Sequence, residues 1–156
     1  MPLEKLIDYL DERDKKYVVV KHSPAFTAQE VAASAHIPGK DMVKTVIVKA
    51  DGDMKMVVLP STHNIDFDSI KDTLGADKVE LATEEEFGDL FPDCELGAMP
   101  PFGNFYEMDT LVAEVLTEDE EIAFNAGTHN ELVKMGYKDY EEVVKPQIIS
   151  VGVRDL

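Results

Sequence analysis

A lysine on an otherwise apolar predicted strand is the first candidate for chemistry in this chain. Lys44 lies in MVKTVIVKA (residues 42–50), where apolar residues occupy both faces of the strand. An ammonium group in such surroundings loses hydration, so it is a candidate for holding a polar or anionic ligand. A lysine at the first turn of a strand can also extend its head to water. The spacing alone favours neither interpretation.

The second candidate is GAMPPFGN (residues 97–104), an uncharged stretch in a chain with 30% charged residues. Glycine lets a ligand approach the main chain closely. Pro100 and Pro101 fix the backbone without adding competing N–H donors. Amides of Gly97 and Ala98 in such a rigid loop are suited to a carbonyl oxygen that becomes an oxyanion. The alternative is an ordinary Pro-Pro connection between a helix and a strand.

The third candidate is NAGTH (residues 125–129), a small-residue break directly after a predicted strand. In a functional interpretation Asn125 and Ala126 form a main-chain wall, and His129 supplies a side chain to the pocket. The alternative is a strand end at which Gly127 makes a β-bulge. Spacing does not separate these two interpretations.

Several other chemistries lack their usual sequence signals. The chain has four histidines, at His22, His36, His63 and His129. They show neither the HExxH spacing nor a nearby cysteine that would indicate a metal site. Cys94 has no surrounding motif that indicates an activated thiolate. No GxSxG, P-loop or GxGxxG segment occurs in the chain. We therefore expect no metal, no cofactor and no side-chain nucleophile.

The charge of the chain limits its partners. The net charge is −17 over 156 residues, which argues against a nonspecific nucleic-acid binder. Residues 1–60 hold nine basic and nine acidic residues, whereas residues 61–156 hold six and twenty-three. The neutral first third is thus the part that tolerates a polyanion. One cysteine and no long apolar run predict a soluble cytoplasmic protein without a disulfide or a membrane span.

The elements that must position these residues are helices interspersed among short strands. Helical spacing covers residues 2–14, a capping-box signature opens a helix over 28–36, and a helix over 66–74 ends at Gly75. A further helix opens at Thr83, and a closing one in DYEEVVKP ends at Pro146.

Strands are predicted for KYVVVKH, KVELA, FYEM, TLVAEVL and IAFNAG, and THNELVKM fits either a helix or a strand. Asp51-Gly52 between residues 42–50 and 54–60 is the strongest hairpin signal. The pattern predicts one α+β domain over residues 1–156. Its sheet is expected to be mixed, mostly antiparallel and barrel-like, with flanking helices.

Four segments together resemble the bacterial YbaK-like family of aminoacyl-tRNA editing domains. HSPAFTAQEVA, MVKTVIVK, GAMPPFG and FNAGTH occur in the order and approximate spacing of that family, and the resemblance spans nearly the whole chain. It implies a freestanding deacylase that hydrolyses the ester between a wrong amino acid and the terminal adenosine of a tRNA. Many such substrates are charged by prolyl-tRNA synthetase.

The resemblance also implies a role for each matched residue. Lys44 would help to hold the 3′ end of the substrate, and amides of Gly97 and Ala98 would face the ester carbonyl. Water, assisted by the ribose hydroxyl of the substrate, would be the attacker, without a metal. The residues expected to line the substrate pocket are His22, Thr45, Met99, Pro100, Pro101, Asn125, Ala126, Gly127 and His129. His129 resembles the histidine that limits pocket size in the alanine-editing branch.

The implied partners are the acceptor end of a mischarged tRNA and prolyl-tRNA synthetase. His129 favours a small residue such as alanine on tRNA-Pro. A net charge of −17 is unfavourable for holding tRNA, so contact would be confined to the CCA end or a synthetase would deliver the substrate. The alternative is a non-catalytic module that keeps the pocket and binds a small molecule or a protein.

Overall fold

The computed structural model describes residues 2–21, 37–95 and 97–149. Within them the α-helices are α1 (Pro2–Glu12), α2 (Phe67–Leu74), α3 (Glu84–Phe87) and α4 (Tyr137–Val144). The strands are β1 (Tyr17–Lys21), β2 (Val43–Ala50), β3 (Asp53–Pro60), β4 (Val79–Leu81), β5 (Asp109–Ala113), β6 (Glu121–Asn125), β7 (Glu131–Gly136) and β8 (Gln147–Ile149). The helix expected over residues 28–36 lies outside the described residues.

The strands form two sheets. The smaller one has the order β1-β7-β6 and is antiparallel. The larger one has the order β4-β2-β3-β5-β8, with antiparallel pairing around β2 and parallel pairing of β5 with β3 and β8. A parallel bridge between Met42 and Ala123 joins the two sheets. The α+β class with a mixed sheet and flanking helices is confirmed, although the sheet is divided in two and does not close on itself.

The β2–β3 hairpin follows the sequence prediction. Ala50 pairs with Asp53 across a two-residue turn in which Asp51 and Gly52 have φ values of 52° and 90°. Two left-handed residues give the turn a twist that matches its flanking strands. Gly52 adopts this conformation without the strain of a Cβ, and this explains the strength of the signal.

Helix ends also agree with their sequence signals. Asp66 caps α2 by accepting hydrogen bonds from the amides of Asp68 and Ser69, and Gly75 ends the helix with φ 65°. Thr83 and Glu86 form the predicted capping box of α3. Asp66 in α2 and Thr83 in α3 each accept hydrogen bonds from N–H groups that the first helical turn leaves without intrahelical partners.

The strand predicted for FYEM is wrong. Gly103–Phe105 form a 3₁₀ turn instead, and β5 begins only at Asp109. The ring of Phe105 lies 4.9 Å from the ring of Tyr9 on α1, so this aromatic segment packs against a helix rather than pairing with a strand. The ambiguous segment THNELVKM forms most of β7, which ends one residue later at Gly136. β8 follows α4 directly and was not predicted.

One main apolar core lies between the two sheets. Both sheets contribute one face to it, and α1 and α4 close it with residues such as Leu6, Leu10 and Tyr140. A second cluster lies on the other face of the larger sheet beneath Ile70 of α2. Among the described helices, none has the length and apolar character needed to span a membrane.

Candidate active site

The uncharged loop is mostly buried. Ala98 and Phe102 are fully enclosed and Met99 is 3% exposed, and Pro100 and Pro101 are buried between them. Gly97, at the start of the loop, stays exposed with φ 87°. The lack of charge therefore reflects the apolar core beneath the loop, and the part that meets solvent is its first residue.

Two buried hydrogen bonds fix this loop to the core. The Tyr140 hydroxyl donates to the carbonyl of Pro101 at 2.6 Å. The Gly103 amide donates to Oγ1 of Thr110 at 3.0 Å, and a methyl group at Gly103 would lie only 2.3 Å from that oxygen. The loop is consequently held by side-chain contacts in addition to its prolines.

The loop and the NAGTH segment are hydrogen-bonded to each other. The Gly127 amide donates to the carbonyl of Ala98 at 2.9 Å, and the Glu95 amide donates to the carbonyl of Gly127 at 2.8 Å. The His129 amide donates to Oε1 of Glu95 at 2.6 Å. Cε1 of His129 lies 3.5 Å from the position that a Cβ of Gly97 would take. Two of the three candidate segments therefore form one local structure.

The backbone donors of this structure differ in their availability. The Ala98 amide donates to the carbonyl of Glu95 at 3.0 Å and closes a turn. Within the described residues the amides of Gly97 and Met99 have no acceptor. Met99 is buried, whereas Gly97 is exposed. We therefore take the Gly97 amide, beside the ring of His129, as the candidate donor to a ligand carbonyl.

Lys44 is a half-buried ammonium group. No carboxylate of the described residues lies within ion-pair distance of it, in contrast to Lys49, which pairs with Glu80 and Glu86. Burial lowers the pKa of Lys44 below its ordinary value. A desolvated cation without a counter-charge is unfavourable for stability and suited to an electronegative ligand.

The bridge between the sheets places Lys44 in relation to Asn125. The two chain segments run parallel at the bridge between Met42 and Ala123. Lys44 and Asn125 each follow a bridge residue by two positions, so their side chains point to the same side as those of the bridge residues. Asn125 is 9% exposed, and its Oδ1 is buried without a hydrogen-bond partner. Among the described residues, an ammonium group without a carboxylate partner and an amide oxygen without a donor therefore lie on one side of the sheet junction.

The remaining predicted residues are distributed as follows. Thr45 lies on the opposite face of β2 from Lys44, the face that carries Val43 and Ile47. Ala126 contributes to the main core next to the buried loop. His22 lies outside the described residues. No group of three or more His, Cys, Asp or Glu side chains within residues 2–21, 37–95 and 97–149 could hold a metal ion.

Glu95 is a residue of this site that the sequence interpretation missed. It precedes the uncharged loop in one of the most acidic parts of the chain, so its carboxylate looked like one of several solvated charges. Only the folded chain shows that this carboxylate accepts the His129 amide from a segment 34 residues away.

Comparisons with known proteins identify the class. The sequence profile of the aminoacyl-tRNA editing domain matches residues 22–143. The chain therefore belongs to this family, which confirms the resemblance to YbaK-like editing domains. Proline--tRNA ligase of Bacillus mycoides (strain KBAB4) is 30% identical over 93 residues, which cover 60% of this chain and 16% of the ligase.

Solved structures share the fold. The hypothetical protein APE2540 superposes with a TM-score of 0.84 at 23% identity, covering 94% of this chain and 98% of that one. A candidate trans-editing enzyme for prolyl-tRNA synthetase superposes with a TM-score of 0.82 at 19% identity, covering 97% of each chain. Both likenesses establish the architecture described above.

Proposed function

We propose that this protein is an aminoacyl-tRNA deacylase that acts in trans on tRNA-Pro carrying a small wrong residue such as alanine. The observation that carries the proposal is the amide of the exposed Gly97, which has no acceptor among the described residues and lies beside the ring of His129. Membership of the editing-domain family and the similarity to a segment of proline--tRNA ligase support this choice of substrate.

In the proposed reaction, water adds to the carbonyl carbon of the aminoacyl ester. The developing oxyanion accepts a hydrogen bond from the Gly97 amide, whose position is fixed before the substrate arrives. The carbon–oxygen bond to the ribose then breaks, and the ribose oxygen takes up the proton that the attacking water has lost. The products are the free amino acid and uncharged tRNA.

Lys44 and His129 have separate roles in this proposal. The ammonium of Lys44 holds the polar 3′ end of the tRNA, which replaces the hydration that the half-buried group has lost. His129, 9% exposed and close to Gly97, limits the side chain that fits beside the reacting carbonyl. A small acyl group is accepted and a larger one is excluded.

The proposal is tested by deacylation assays on tRNA-Pro charged with alanine, cysteine or proline, at low and moderate salt. We expect hydrolysis of the alanyl ester and its loss in Lys44→Ala, while Lys71→Ala, an exposed lysine on α2, keeps the activity. Because the chain carries a net charge of −17, it repels the tRNA phosphates, and we expect weak tRNA binding that strengthens as moderate salt screens this repulsion. Saturable binding of aminoacyl-adenosine without hydrolysis would instead favour a non-catalytic binding module.

A further inference from the structure

Glu95 contacts the NAGTH segment through both its main chain and its side chain. Its amide donates to the carbonyl of Gly127 at 2.8 Å, and its carboxylate accepts the amide of His129 at 2.6 Å. Gly127 has φ 103°, a left-handed conformation that favours glycine and turns the chain between these two contacts. The two hydrogen bonds thus enclose the turn that carries His129.

We propose that Glu95 is a positioning residue that sets the size limit of the aminoacyl pocket by holding His129 over Gly97. This inference rests on the proposed function, because it concerns the same pocket. It assigns to Glu95 no contact with the substrate. Its effect passes entirely through the position of the His129 main chain.

The geometry favours positioning over a general role in stability. Glu95 is itself exposed, so its side chain fills no space in the core. The hydrogen bond from a backbone amide to a carboxylate is charge-assisted and stronger than one between neutral groups. On the other side of the turn, the single hydroxyl hydrogen of Thr128 is shared between Asn130 Oδ1 and Glu131 Oε1. Removing the Glu95 carboxylate therefore frees the His129 amide, while the main-chain hydrogen bonds of Gly127 and the side chain of Thr128 keep the rest of the turn in place.

Release of His129 should affect the choice of substrate more than the chemical step. The Gly97 amide does not depend on Glu95 for a hydrogen bond. The ring of His129, however, could then move away from Gly97 and admit a larger acyl group. A hydrophobic pocket discriminates between two substrates that differ by one methylene group by about 10- to 200-fold in kcat/KM. We expect the ratio of kcat/KM for alanyl over prolyl ester to fall at least about tenfold in Glu95→Ala.

The experiment compares Glu95→Ala, Glu95→Gln and the matched control Asp93→Ala, an exposed acid two residues away. For each variant kcat and KM are measured separately with alanyl- and prolyl-tRNA-Pro, together with thermal unfolding. The Gln side chain keeps an acceptor oxygen, so Glu95→Gln should restore discrimination, and Asp93→Ala should retain it. In Glu95→Ala we expect KM for the prolyl ester to fall while kcat for the alanyl ester changes little.

Two further measurements do not require catalysis. Hydrogen exchange of the His129 amide should accelerate in Glu95→Ala and stay slow in Glu95→Gln. Binding of non-hydrolysable 3′-alanylamino- and 3′-prolylamino-adenosine should show the same loss of discrimination as the kinetics. An active wild-type protein whose Glu95→Ala variant discriminates as before would overturn this inference alone. Absence of hydrolysis by the wild type, with selective binding that depends on Glu95, would overturn only the deacylase proposal.

Discussion

The ring of His129 packs over Gly97, with Cε1 3.5 Å from the position of a Cβ on that glycine. These residues are 32 positions apart, and the hydrogen bonds among Glu95, Ala98 and Gly127 bring them together. At this contact an amide that has no acceptor within the described part of the chain lies beside a bulky side chain. Chemistry and size selection can therefore take place at the same carbonyl.

Gly97→Ala should reduce deacylation more than it reduces stability. A methyl group at 3.5 Å from Cε1 of His129 is in ordinary contact, so no clash is expected. The φ of 87° imposes strain of about 1–2 kcal/mol on any residue with a Cβ. The methyl would also fill the space between Gly97 and the ring of His129, where the substrate carbonyl is proposed to bind. Single-turnover hydrolysis and urea unfolding measure the two effects.

Gly52→Ala is the matched control for this strain. Gly52 has φ 90° in the β2–β3 turn, and a methyl group there would have no neighbour within 4 Å. Both variants should lose similar stability, while only Gly97→Ala loses activity. Equal activity in the two variants would show that the surface of Gly97 is not used.

Lys44→Met should strongly reduce deacylation without destabilising the protein. The wild-type ammonium is half-buried, and burial alone lowers its pKa, so the folded state disfavours the charge. Methionine keeps much of the length of the side chain and needs no hydration. We expect an unchanged or higher Tm and a fall in kcat/KM of about a hundredfold or more, as for the loss of a fixed electrostatic contact. A large fall in Tm would show that Lys44 has a structural role.

The sequence was most informative where one local interaction determines the structure. Asp51-Gly52, Gly75 and the Thr83 capping box each act within a few residues, and each prediction is confirmed. FYEM failed because its aromatic residues pack against α1, a contact that spans some 95 positions. Strand propensity does not distinguish a residue that pairs in a sheet from one that packs on a helix.

In the candidate site, too, some residues could be identified from the sequence and others only from the fold. Lys44 and Gly97 could be selected from the sequence because a lysine in an apolar strand and a glycine in an uncharged loop are locally unusual. Glu95 could not, since a glutamate in an acidic stretch is ordinary until the fold brings the His129 amide to it. The burial of the proline loop could not be predicted from the sequence either, because the loop is bound by Tyr140 and Thr110, which lie outside it in the sequence.

Tyr140→Phe should lower stability and loosen the loop. The phenol is fully buried, and its hydroxyl donates to the carbonyl of Pro101 at 2.6 Å. Phenylalanine fills nearly the same volume but leaves that buried carbonyl without a donor, which costs about 1–3 kcal/mol. Urea unfolding measures the loss. Tyr17→Phe, which removes an exposed hydroxyl bonded to Asp11, should have a much smaller effect.

Asp119 is a source of pH-dependent instability near the sheet junction. Its Oδ2 is buried without a partner, and burial, reinforced by the Asp41 carboxylate, raises its pKa to about 6. The folded protein thus holds this proton more tightly than the unfolded chain does. Stability is therefore lost as pH rises from the ordinary value of 3.8 through about 6 and is constant above it.

Asp119→Asn should consequently have a higher free energy of unfolding than the wild type at neutral pH. The difference between the two proteins should shrink as pH falls toward 4. Urea unfolding of both proteins at pH 4, 5, 6 and 7.5 gives the comparison. Asp66→Asn should behave in the opposite way, because hydrogen bonds from Ser69 lower the pKa of Asp66 and its charged form stabilises the fold. That variant should be less stable than the wild type at pH 7.5 and nearly equal to it at low pH. An Asp119→Asn advantage that is independent of pH would contradict the assignment of the raised pKa to Asp119.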